Sequence, residues 1–292
     1  EGLRLREQNG LIHDLDTVGR PDTLTVLGAL AAVTSHIGLA GTLNATFHEP
    51  YELARQLASL DHLSNGRAMW NVVTSSDAFT GENFRRGGFL DHSERYTRAG
   101  EFVRAARTLW DSWAADDVVA DAESGTFVRT GSPGEFAHSG PQFGIYGNFN
   151  VPRSPQRHPV ILQAGDSDGG RELAAATADM IFSRHSKFSA AQAFYTDVKD
   201  RLARYGRERD HLKILPAVSL ALGDTEDEAR EHARLVRRQQ VSPQTAILLL
   251  EQLWNRDLSA YDAEGPLPDI DPDVSAESII QGRVRMYPDP LK

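Results

Sequence analysis

Between residues 163 and 170 the chain reads Gln-Ala-Gly-Asp-Ser-Asp-Gly-Gly, joining an apolar run to a helical pattern. A strand entering a helix through such a turn leaves the first backbone N–H groups without acceptors, at the positive end of the helix dipole. With the Ser167 hydroxyl beside them, and Gly165 letting the backbone come close, those donors suit a phosphate. The string is neither a Walker nor a dinucleotide fingerprint, and a plain helix cap by Ser167 or Asp168 uses the same residues.

A second group lies upstream. Asn71 lies near the end of a short, mostly apolar run, and a polar, glycine-containing stretch separates that run from His92 and Tyr96. Four residues apart on a helix, His92 and Tyr96 share a face, so one ligand could meet both side chains. Capping or packing would equally explain the histidine, and amphipathic cover of a core the tyrosine. Arg153 and Gln156 sit in Pro-Arg-Ser-Pro-Gln, just before the run that leads to Ser167. An arginine fork suits an anion, and pinning the proline-rich segment is its alternative use. His48, His62, His92, His138, His158 and His185 are scattered without HxH or HExxH spacing, so no metal site is expected. There is no GxSxG elbow.

The elements that must position these groups alternate. Strands are predicted at 36–43, 68–73, 159–164, 179–183 and 213–222, and helices at 22–34, 50–64, 91–113, 168–177, 189–205 and 225–238. Leu53, Leu57, Leu60 and Leu63 mark the second helix, stopped by Asn65-Gly66. Asp91 is its successor's predicted N-cap, with Glu94 three residues on. Strand-helix alternation implies a parallel sheet with right-handed crossovers, and periodicity leaves open whether it closes. Two insertions, at about 116–150 and 257–273, interrupt the pattern; they would shape access at the mouth of a barrel or be surface excursions.

Composition excludes several classes. At 292 residues one α/β domain over 1–292 is expected. With 31 Lys and Arg against 41 Asp and Glu, the net charge of -10 repels nucleic acid and anionic membranes, favouring a small-molecule or protein partner. The chain has no cysteine, which removes disulfides and thiolate chemistry. No apolar run is long enough for a membrane helix and no signal-peptide pattern stands at the start, so a cytoplasmic location is expected. Glu1-Gly2-Leu3 opens without Met, as though midway through a loop.

LASLDHLSNGR resembles the general signature of the bacterial luciferase-like flavin superfamily. WNVVTS, HSERY, LWDSW, NVPRSPQRHPVILQAGDS and YDAEGPLP are similar to its nitrilotriacetate, dibenzothiophene-sulfone and pristinamycin monooxygenase branch. In order, these matches cover most of residues 22–268. The resemblance implies a (β/α)8 TIM barrel of the luciferase-like type, in which the five predicted strands are the third to the seventh. Five strands cannot close such a barrel. It also implies an FMN-dependent two-component monooxygenase, in which a separate reductase supplies reduced FMN and O2 gives a C4a-peroxyflavin that oxygenates a small organic substrate. By the same likeness Thr42 or Asn44, Asn71, His92, Tyr96, Gly165, Ser167 and Asp168 meet the flavin, its phosphate lying at Ser167. His92 would hydrogen-bond or protonate peroxide oxygens, Tyr96 and Asn71 would orient the ring, and Arg153 and Gln156 are the substrate candidates. A homodimer is implied. The family's aspartate at the end of the second strand has no counterpart in the chain. An F420-dependent oxidoreductase of the same superfamily and a noncatalytic flavin-binding homologue are the alternatives.

Overall fold

The computed structural model describes residues 21–75, 83–84, 92–129, 131–185, 187–254, 257–267 and 269, with the backbone alone at 92, 93, 252 and 253. Contacts gather these residues into two compact units, one spanning Pro21–Val218 and a second starting at Ser219.

The first unit begins with α1 (Thr23–Val33), capped by Asp22, whose carboxylate accepts from the Thr25 N–H at 2.8 Å. Next come β1 (Leu39–Asn44) and α2 (Pro50–Ser64). Proline opens α2, and Asn65 ends it in the left-handed region at φ 54°, followed by Gly66 at φ 83°. After β2 (Ala68–Val73), α3 (His92–Asp111) forms the long central helix. Two small antiparallel pairs follow, β3 (Val118–Asp121) with β4 (Thr126–Val128) and β5 (Glu135–Ser139) with β6 (Gly144–Asn148). The alternation then resumes through β7 (Val160–Gln163), α4 (Asp168–Thr177), β8 (Met180–Ser183), α5 (Phe188–Arg201) and β9 (Lys213–Pro216).

The five longer-range partners form one parallel sheet in the order β1-β2-β7-β8-β9. Their register runs from Leu39↔Ala68 through Asn71↔Leu162 and Gln163↔Ile181 to Ser183↔Pro216. Because spatial order follows chain order without reversal, the sheet is singly wound, as in a barrel. A doubly wound sheet would turn back at a switch point.

Alternation divides its two faces. Trp70, Val72, Ile161 and Ile181 face the helices and are buried against Phe102, Leu109 and Trp110 of α3, Leu53 and Leu57 of α2, Ala174 of α4 and Val198 of α5. The Trp70 indole N–H donates to the Leu43 carbonyl at 2.9 Å, so this large side chain is buried without losing a hydrogen bond. Ala40, Thr42, Met69, Asn71, Val160 and Leu162 therefore share the opposite face, the interior face of a barrel.

One expectation changes and one open question narrows. The last strand ends at Pro216 rather than 222, since pairing with β8 stops there and Val218, Leu220 and Leu222 are exposed. Of the two readings open for the 116–150 insertion, its described contacts, which fall on the helical layer, favour the surface excursion. Buried Glu101, in the middle of α3, accepts from the Gln142 N–H at 3.1 Å and the Phe143 N–H at 2.8 Å. Tyr51 of α2 packs on Phe136 and Phe149, and the Trp113 N–H donates to the Phe149 carbonyl at 2.7 Å.

In the second unit, α6 (Glu226–Gln240) is opened by Thr225 and Glu228 in a capping box, and α7 (Pro243–Trp254) is a helix the periodicity did not reveal. Of the 257–273 insertion, 257–267 and 269 are described and the rest lies outside the described residues. Among the described residues no helix is long and apolar enough to cross a membrane.

Candidate active site

In a parallel α/β sheet the loops after the strands gather at the carboxyl ends, where barrels place their chemistry. The turn after β7 lies at this rim. Ser167 caps α4, its hydroxyl accepting from the Gly170 N–H at 3.2 Å, while the N–H groups of Asp168 and Gly169 have no acceptor within the helix. The Tyr96 hydroxyl, in the first turns of α3, lies 2.7 Å from the Ser167 hydroxyl. The cap and the anion-binding arrangement are thus the same atoms, with a phenol added.

Glycine is required by contact in this turn. A Cβ on Gly169 would lie 2.6 Å from Tyr96 Cδ2, and one on Gly165 or Gly170 would lie 2.8 Å from the other's Cα. The buried Gln163 side chain fixes the entry to the turn by accepting from the Gly165 N–H and donating to the Val72 carbonyl at 3.3 Å.

On the interior face Thr42 and Asn71 are register partners, and Asn71 Nδ2 donates to Thr42 Oγ1 at 3.1 Å. Asn71 Oδ1 is a buried acceptor with no partner among the described residues, an arrangement that costs about 1–3 kcal/mol where nothing compensates it. Asn44 differs from Thr42. It is fully buried and its carbonyl oxygen accepts from the N–H groups of Thr46 at 3.1 Å and Phe47 at 2.8 Å, closing the loop after β1. Arg98 of α3 holds that loop from below, donating to the Ala45 carbonyl at 3.1 Å and stacking on Phe143 at 4.3 Å.

His92 begins α3 one turn before Tyr96; its side chain, and Asp91, lie outside the described residues. The Asp168 carboxylate turns away from the turn's donors to Arg201 of α5, at 2.6 Å. Any contribution of Asp168 to anion binding therefore falls to its backbone N–H.

Arg153 and Gln156 are not brought to this rim. Both precede β7, at the amino ends of the strands, where Gln156 Nε2 donates to Asp61 Oδ1 at 2.6 Å and to the carbonyl of Ala68, the first residue of β2, at 2.9 Å. Gln156 is thereby committed to joining the α2–β2 turn to the entry of β7, and Arg153 is exposed on the same segment. Missed by sequence reasoning was His185, just past β8 on the carboxyl rim, with Nε2 3.1 Å from Asp166 Oδ1 and its ring on Phe194. Its place two residues beyond a predicted strand was the available signal.

The singly wound sheet, its outer helices and a glycine-rich turn opening α4 at the carboxyl rim define an α/β protein of the barrel type. Comparison with known proteins sharpens this. Residues 10–282 match the luciferase-like monooxygenase family, and the chain belongs to it. It falls in the branch of the nitrilotriacetate, dibenzothiophene-sulfone and pristinamycin monooxygenases. It is 42% identical to N-acetyl-S-(2-succino)cysteine monooxygenase of Bacillus subtilis (strain 168), over 89% of this chain and 60% of that protein. Identity to nitrilotriacetate monooxygenase component A of Aminobacter aminovorans is 43%, over 85% and 55% respectively. A solved riboflavin lyase with modified FMN and riboflavin superposes with TM-score 0.77 at 29% identity, covering 92% of this chain and 62% of that one. The chain thus spans little more than half the length of these curated relatives. The five parallel strands are a segment of the luciferase-like (β/α)8 barrel.

Proposed function

We propose that this chain is the oxygenating component of a two-component flavin monooxygenase, binding reduced FMN from a separate reductase and using O2 to oxygenate a small organic substrate. The observation that carries the reading is the Ser167–Tyr96 pair, two hydroxyls 2.7 Å apart over the open N-terminus of α4. Relatives named as monooxygenases, one of them a component A, support the reaction class and the partner. The deazaflavin alternative is less favoured, since the F420-dependent solved structures similar to this chain are only 15–16% identical to it and share the fold alone.

The residues present fit FMN at both ends. The α4 N–H groups, the Ser167 hydroxyl and the Tyr96 phenol would hold a phosphate, and Asn71 Oδ1, buried and unpaired, would accept from an N–H of the isoalloxazine. Asn71 can do so without rotating, because Thr42 fixes its amide from the other side. Bound reduced FMN would supply the activation of O2, which side chains of this chain cannot provide. Tyr96 would orient the phosphate, the apolar neighbours Met69, Val160 and Leu162 would keep water from the ring, and His92, one turn from Tyr96, would hold or deliver a proton. Homodimeric assembly and a cytoplasmic location belong to the same proposal, by likeness to the family.

Equilibrium titration with FMN and riboflavin, read by flavin fluorescence, tests it. FMN should bind more tightly than riboflavin, because only FMN offers a phosphate to Ser167. Equal affinity for the two, or affinity for F420 alone, overturns the proposal.

A further inference from the structure

The serine of the turn stands between two carboxylates, Asp166 and Asp168, and a doubly charged phosphate placed there would meet like charges on either side. Each carboxylate is held by an arginine from the outer layer. Arg171 binds Asp166 at 2.9 Å, and Arg201 binds Asp168 at 2.6 Å. Both arginines also bind Asp197 of α5, at 2.9 and 3.0 Å, so Asp166, Arg171, Asp197, Arg201 and Asp168 form a ladder whose two ends flank Ser167. Arg201 further binds Glu172 at 2.7 Å, and its side chain is only 12% exposed. Arg171 is stacked 4.9 Å above Phe194, and His185 adds a second side-chain contact to Asp166 at 3.1 Å. Exposed ion pairs are worth little; a ladder with a shared central carboxylate and a nearly buried guanidinium is instead a fixed arrangement of charge.

We infer that Arg171 and Arg201 are positioning residues for the phosphate, neutralising the carboxylates beside Ser167 and turning them away so that the turn accepts a dianion. This rests on the flavin-phosphate reading above. Neither arginine touches the phosphate site itself; each acts through its aspartate. The pair therefore sets the preference for a phosphorylated over an unphosphorylated flavin.

Arg201→Gln and Arg171→Gln variants, titrated with FMN and with riboflavin, test the inference, with circular dichroism melting to confirm folding. Losing one neutralising charge near the phosphate should weaken FMN binding roughly ten-fold and leave riboflavin within about two-fold. Adding Asp168→Asn to Arg201→Gln removes the exposed carboxylate and should restore FMN affinity, a rescue that mere structural support would not show. Equal loss for both flavins, or no rescue, overturns the inference. Phosphate-dependent binding in the wild type with unaffected arginine variants overturns the arginine role alone. Equal wild-type affinity for the two flavins would instead remove the reading beneath it.

Discussion

Gly169→Ala isolates the contact on which the anion site depends. The added methyl would lie 2.6 Å from Tyr96 Cδ2 and 2.9 Å from Cε2, well inside contact distance, so the ring must move. Alanine in a helix gains at most about 1 kcal/mol over glycine, and less in the first turn, where Gly169 lies. Against this stand about 1–3 kcal/mol for overpacking and about 0.5–1.5 kcal/mol for the Tyr96–Ser167 hydrogen bond once the ring is displaced. The clash wins, giving a net loss of about 1–3 kcal/mol and a fall in melting temperature of about 3–10 °C. FMN affinity should fall with it. Tyr96→Phe serves as the control, since it removes only the hydroxyl and should cost about 1 kcal/mol. A Tyr96→Ala and Gly169→Ala double variant should lose less stability than the sum of the two singles, as contacting residues do. Scanning calorimetry and flavin titration read all four proteins. If Gly169→Ala melts at or above the wild type and binds FMN unchanged, the ring does not pack against this turn and the reasoning fails.

Other perturbations separate binding from stability. Asn71→Leu removes a buried unpaired acceptor, so stability should hold or rise by up to about 1 kcal/mol while FMN affinity falls at least about ten-fold; a parallel loss of both would show Asn71 to be structural. Glu101→Ala strips the acceptor from the Gln142 and Phe143 N–H groups and should cost about 2–4 kcal/mol, with faster hydrogen exchange at those amides. FMN affinity should stay unchanged in that variant, because neither Glu101 nor the two amides it holds is among the groups proposed to meet the flavin. Burial pushes the Asp197 and Glu172 carboxyls up, but hydrogen bonds outweigh it and hold both below their usual range, from Arg171 and Arg201 on Asp197 and from Tyr205, Arg201 and Arg204 on Glu172. With folded values below unfolded ones, the native state binds fewer protons, so this stabilisation is present at neutral pH and is lost as pH falls below about 4.5. Melting temperatures measured from pH 6 down to pH 3 should fall less steeply in Arg201→Gln, and an identical slope would contradict the assignment.

What could be read from the sequence and what could not divide along a physical line. Strands 68–73 and 179–183 and the helix at 168–177 were legible because local signals agree: apolar runs of strand length, a serine cap, glycine at the turn. The 213–222 strand ran too far because Val218, Leu220 and Leu222 keep the alternation of a strand without a partner to pair with, and pairing is a tertiary fact. The outward path of the 116–150 insertion was illegible for the same reason. It depends on Glu101, 41 and 42 residues earlier in a helix, having a buried carboxylate to offer two distant amides.

The placement of Arg153 and Gln156, offered as substrate candidates, was legible in another way, because chain direction carries it. In a parallel sheet every residue before a strand falls at the amino rim and every residue after it at the carboxyl rim. Applied to β7 and β8, that rule alone moves Arg153 and Gln156 away from Ser167 and brings His185 toward it. Residue chemistry suggested an anion for Arg153, and chain direction decides that the anion is not this one. The arginines that do serve the turn, Arg171 and Arg201, lie after it, on the two helices that flank β8, and reach the site through Asp166 and Asp168. The proposed anion site therefore draws on residues just after β7, together with one phenol from α3, while Gln156, just before β7, ties the amino end of that strand to the α2–β2 turn.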